Sequence, residues 1–174
     1  MGMGILGGNP KDEPMHYGEI FDVWSFSSKA RMTLSCYQAY LNHAGDQDLQ
    51  DMLKDLINQA RQEMKECDKI LLDNGLAPPP TLPERPEVKA EDIPVGARFA
   101  DQEIAMHLAA DLSMSLVACS QSMSMCTRED VAAMFAKYHA TKTAFAGRIL
   151  RLNKEKGWLV PPPLHMKKPE LVEV

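Results

Sequence analysis

The sequence predicts an all-α chain of four long helices in up-down-down-up order, with short, long and short connections. Two observations carry this. Apolar residues recur at alternating steps of three and four along four separate stretches, the spacing of one buried helical face. Between the second and third stretches lies a segment holding Pro78–Pro80, Pro83, Pro86 and Pro94, with neither helical nor strand period. A helix of about 27 residues is about 40 Å long, and roughly 23 extended residues can run back along it. The third helix then starts beside the start of the second and lies parallel to it. A four-helix bundle with one such crossover is ferritin-like.

The first helix spans about 19–44, with Val23, Phe26, Ala30, Leu34, Tyr37 and Leu41 on its stripe and Gly45 as a left-handed closing residue. Asp46 caps the second, about 47–74, whose stripe is Leu49, Leu53, Leu56, Ala60, Met64, Cys67 and Leu71, and Asn74-Gly75 stops it. The crossover occupies 76–99. Asp101 caps the third helix, about 101–125, where Ile104, Leu108, Leu112, Ser115, Cys119, Ser122 and Cys126 form the stripe. Thr127 is the expected hydroxyl cap of the fourth, about 128–156, through Val131, Met134, Phe135, Tyr138, Phe145, Ile149 and Leu152. Lys142 interrupts that series. Beyond Gly157 an extended tail, 158–174, begins WLVPPPLHM, lies across the bundle and frays from Lys167 onward. Each pair of helices alone is too small for an independent core, so 1–174 is expected to form a single domain.

Composition limits function. Nineteen basic against 24 acidic residues, a net charge of −5, exclude a general nucleic-acid-binding surface. No apolar run reaches the roughly 18 residues of a membrane span, and the start MGMGILGGNPKDEP lacks the basic and apolar regions of a signal peptide. Four scattered Cys without a CxxC pair fit reduced thiols in a cytoplasm. With only 6% aromatics, the 12 Met are expected to fill the core.

Ferritin-like bundles that hold two metals need an inward Glu from each of two helices and Glu-x-x-His from each of the others. The pattern is absent. Glu63-x-x-Glu66 has no His, Glu103 and His107 stand four apart, and His139 has Ala136 three before it. These five residues are the candidates for a divergent metal site. His16-x-x-Glu19 reads as an entry turn, with Gly18 between them, and His43 as a cation at a helix end. Met114, Cys119, Met123, Met125 and Cys126 offer soft donors suited to Cu(I), at spacings that equally describe core packing. Cys126, beside Arg128, is the candidate reactive thiol. Arg148, Arg151, Lys154 and Lys156 form a solvated face, Trp24 and Trp158 anchor the bundle ends, and Tyr37, Tyr40 and Tyr138 fit core or interface. No nucleophile elbow, P-loop or dinucleotide fingerprint occurs, so no catalytic residue, cofactor or metal is assigned.

The segments HYGEIFDVW, ERPEVKAEDIPVGARFADQEIA and RLNKEKGWLVPPP together resemble a family of uncharacterised proteins of spore-forming bacteria, a domain of unknown function, some members of which carry a spore coat label. The resemblance covers about Met3 to Leu164 and implies a ferritin-like bundle with no catalytic residues. Together these readings favour a non-enzymatic structural or interaction protein, cytoplasmic and deposited on the spore coat, and self-associating as a homodimer. The alternatives are a metal-binding or di-metal oxidase-type bundle and a binder of a small apolar ligand.

Overall fold

A computed structural model describes residues 5–167. Residues 1–4 and 168–174, where the sequence predicts part of a flexible start and most of a frayed end, lie outside the described residues. The four helices are α1 (Tyr17–His43), α2 (Gln47–Asp73), α3 (Asp101–Met125) and α4 (Glu129–Glu155), and short 3-10 turns occupy Pro10–Asp12, Ala90–Asp92 and Val95–Ala97.

Contacts at the two ends fix the direction of every helix. At one end the Asp101 carboxylate, opening α3, meets the α1–α2 turn, and Lys156, closing α4, reaches Asp46. At the other end Met125, closing α3, meets His16, and Arg128, opening α4, meets Asn74. Thus α2 and α3 both leave the first end while α1 and α4 both arrive there, the up-down-down-up order of a ferritin-like bundle. The crossover climbs beside α1 in step with its numbering. Arg85 Nε donates to Ser35 O at 2.9 Å, Asn42 Nδ2 to Pro86 O at 3.0 Å, and Phe99 N to His43 Nδ1 at 3.0 Å.

Helix ends follow local chemistry, with four departures from the sequence expectations. At the end of α2, Gly75 has φ +73°, Gly75 N donates to Leu72 O and Leu76 N to Leu71 O, a paired closure that needs a left-handed residue. Gly157 (φ +71°) closes α4 in the same way. Gly45 does not have a positive φ. Alpha1 ends because Ala44 turns extended, and the Gly45 amide goes to Asp101 Oδ1 at 2.8 Å. Helix α1 starts earlier than its apolar stripe implies, because the His16 ring accepts the Gly18 and Glu19 amides. Asp101 does not cap its own helix: it is the first residue of α3 and serves the α1–α2 turn, while Glu103 accepts the Ala100 amide. Thr127 does not cap α4 either, since that task falls to Glu19 on α1.

Two apolar clusters fill the bundle. The first-end cluster includes Leu34, Leu49, Leu53, Leu56, Ile104, Leu108 and Ile149, and Trp158 packs partly buried against it. The second includes Val23, Phe26, Cys67, Leu71, Cys119, Phe135 and Tyr138, with Phe26 and Phe135 edge to face at 4.8 Å. The methionine expectation fails. Only Met52 among the described methionines is fully buried, whereas Met106 and Met125 are about half exposed and Met32, Met114 and Met166 more than that. Leu, Ile and a few rings fill the core instead. Trp24 is a surface residue at 41% exposure rather than an anchor.

Candidate functional site

Between the two apolar clusters lies a belt of polar side chains, contributed by all four helices. Lys29 (α1) stands 3.3 Å from Asp111 (α3) and donates to Ser115 Oγ at 2.9 Å. Tyr37 OH (α1) donates to the other Asp111 oxygen at 2.5 Å. Across the bundle Lys142 (α4) stands 2.9 Å from Glu63 (α2), which also accepts from Gln59 at 3.1 Å. Glu63 and Lys142 are nearly buried. Each lysine faces one carboxylate on the antiparallel neighbour of its own helix, so the belt is neutral as a whole. Burial first, and then the charge and hydrogen bond of Asp111, push the Tyr37 phenol far above its ordinary value, so it stays a donor.

The belt surrounds a cavity that admits the centre of a water-sized sphere over about 20 Å³, lined among others by Phe26, Thr33, Gln59, Leu112 and Phe145. That is room for about one water and not for an organic molecule. A ferritin-like metal pair requires four or more carboxylates with histidines converging on it. The belt offers one Glu, one Asp and no His, and two ammonium groups neutralise the charge that divalent cations would. These residues do not fit a di-metal centre. Among the described residues no group of three or more His, Cys, Asp or Glu stands close enough to hold a metal.

The other metal candidates are dispersed. Glu66 lies outside the belt, 2.7 Å from Lys137, and accepts from Tyr138 OH at 2.9 Å. Glu103 sits at the first end as a cap, His107 shares a 2.8 Å hydrogen bond with the Tyr40 hydroxyl, and His139 lies on the shoulder of α4. The soft-donor cluster is split around α3: Met114 and Met125 point outward while Cys119 points into the second apolar cluster. His43 receives the crossover through the Phe99 amide. In the basic run, Arg148 pairs with Asp55 at 2.5 Å and Lys156 with both Asp46 and Asp48, whereas Arg151 and Lys154 are exposed.

Cys126 is not activated. Its thiol donates to Ser122 O at 3.1 Å, and burial, followed by the charges of Glu19, Asp22 and Asp130, pushes its pKa up to about 11. The neighbouring Arg128 guanidinium is spent on Asp130 and Asn74.

His16 and Glu19 belong to a structural knot. Glu19, 1% exposed, accepts the Thr127 amide at 2.6 Å and the Arg128 amide at 2.7 Å through one oxygen, and the His16 amide through the other. Burial pulls its pKa upward, but the amides of Arg128, His16 and Thr127 outweigh it and hold the carboxyl below its ordinary value. Because His16 Nδ1 accepts amides, Nε2 carries the proton and donates to Met125 O at 2.9 Å. Asp101 does for the α1–α2 turn what Glu19 does for the α3–α4 turn. Each takes the two amides that precede the second helix of the opposite hairpin. No sequence repeat announces this equivalence, since the two acids sit at different positions in their helices.

Comparison with known proteins agrees with this architecture. The chain is 48% identical over 166 residues to the uncharacterized protein YvdQ of Bacillus subtilis (strain 168), covering 95% of this chain and 98% of that protein. A crystal structure from Bacillus halodurans C-125, described as a "putative spore coat protein", superposes with a TM-score of 0.90 at 44% identity, covering 91% of this chain and all of that one. The model of the family "Protein of unknown function (DUF3231)" matches residues 3–171, and the chain belongs to that family.

Proposed function

We propose that this chain is a non-enzymatic structural or interaction protein, made in the cytoplasm of a spore-forming bacterium and deposited on the spore coat as a self-associating bundle that acts as a single domain. One observation carries the reading: the centre of the bundle, where chemistry in a ferritin-like fold takes place, is closed by the chain's own Lys29–Asp111 and Lys142–Glu63 pairs around room for about one water. Reactivity needs a perturbed, accessible group in a cleft. Here the carboxylates are neutralised, and Cys67 and Cys119 are buried with pKa values pushed up, chiefly by that burial, to about 12 and about 11. The coat assignment draws on the name of the Bacillus halodurans relative. A fluorescent fusion followed through sporulation tests it: a ring on the maturing spore supports the reading, and a signal that stays diffuse in the mother cell refutes it.

A further inference from the structure

The exterior of the bundle is uneven. The crossover covers part of the α1/α2 side, and α2 carries an ordinary charged surface with Lys54, Asp51, Arg61, Lys69 and Asp73 exposed. The outer face shared by α1 and α3 is different. On α1, Phe21, Ser25, Ser28, Met32 and Cys36 follow at steps of four, three, four and four, and on α3 Ala110, Met114, Val117, Gln121 and Met125 do the same. None is charged, and Phe21, Met32, Met114 and Val117 are 67%, 57%, 62% and 68% exposed. The charges of this region lie in the seam or at the edge: Lys29 and Asp111 neutralise each other, Glu19 and Arg31 are buried, and Asp22 and Glu103 border the patch.

We propose that the α1/α3 face is the surface on which a second copy of this chain docks, about a two-fold axis, with Met32, Met114 and Val117 at its centre. This rests on the self-association in the reading above and names its surface. Area supports it. A face about 24 Å long (the 16 residues from Ala110 to Met125 at about 1.5 Å each) and two helix diameters wide, about 20 Å, gives about 480 Å² per copy, so that two copies bury about 1,000 Å² together, the size at which a specific interface begins. Charge supports it as well. A face whose two stripes carry no charge and whose seam pair, Lys29 and Asp111, is neutral is matched, on a chain of net charge −5, by an equally neutral face, and the only partner certain to bring one is another copy. Interface cores are depleted of charge and enriched in Met and aromatic residues, as this face is. A membrane surface fits poorly, because faces that bind anionic lipid carry Lys and Arg at their margins, and α3 contains neither.

The test is sedimentation velocity of the full chain over a wide concentration range, with Met114→Glu, Val117→Glu and Ala110→Arg beside a control, Lys65→Glu, on exposed α2. A two-fold interface presents each substitution twice, so each of the three raises the dimer dissociation constant roughly 100-fold or more, with an unchanged far-UV circular dichroism spectrum. The control leaves it unchanged. A dimer that survives all three overturns this face while leaving self-association intact. A wild-type chain that stays monomeric throughout, or instead floats with phosphatidylglycerol vesicles, overturns the proposal, whereas localisation on the spore is judged by the fusion experiment.

Discussion

Removing Lys142 alone should cost far more than removing it together with Glu63. In Lys142→Met, the Glu63 carboxylate keeps its buried position at 4% exposure with Gln59 as its remaining hydrogen-bond donor. Breaking a nearly buried pair from one side costs about 3–5 kcal/mol, because the other charge is stranded away from water. Replacing both partners with apolar residues of similar volume is often neutral. Lys142→Met with Glu63→Leu should therefore fall within about 1 kcal/mol of the parent, about 2–4 kcal/mol more stable than Lys142→Met alone, so the losses at these sites 79 residues apart are far from additive. Urea denaturation of the parent, both single variants and the double variant closes the cycle. Additive losses would refute the claim that the belt is a self-contained structural pair.

Other expectations test the ends and the thiols. Glu19→Ala strands the Thr127 and Arg128 amides and should cost about 2–4 kcal/mol in urea denaturation. The depressed Glu19 pKa contributes stability that is fully present above the unfolded carboxylate value and lost as pH falls through the folded one. The parent should therefore lose stability on acidification below about pH 4.5 more steeply than Glu19→Gln. Gly75→Ala, at φ +73°, should lower stability by about 1 kcal/mol, whereas Gly45→Ala, whose new Cβ meets only Asp101 at an ordinary 3.5 Å, should stay within about 0.5 kcal/mol. In a thiol-labelling time course at neutral pH, at dilution that keeps the chain monomeric, exposed Cys36 should react first and Cys67 and Cys119 only on unfolding. Fast labelling of Cys126 would contradict the raised pKa of its thiol.

What the sequence reveals and conceals follows the range of each interaction. The stripe from Leu49 to Leu71 and the Asn74-Gly75 stop are local, and the helix they imply is present. The order of the helices is legible because chain length alone decides whether the proline-rich segment spans the bundle. Lys142 reads as a flaw in an apolar series because its partner, Glu63, lies on another helix. Asp101 reads as the cap of its own helix and Glu19 as part of an entry turn, yet each carboxylate serves a turn across the bundle. Methionine reads as core because periodicity shows that a residue repeats on a face, not whether that face turns inward. Met114 and Met32 repeat on the outer one.

Elemental analysis of the untagged chain, purified without chelator, bears most directly on the claim that the centre of the bundle is filled by its own lysines. No stoichiometric iron, manganese or zinc should accompany it. About two bound equivalents, lost on exchanging Glu63 or Asp111 for Ala, would contradict that claim.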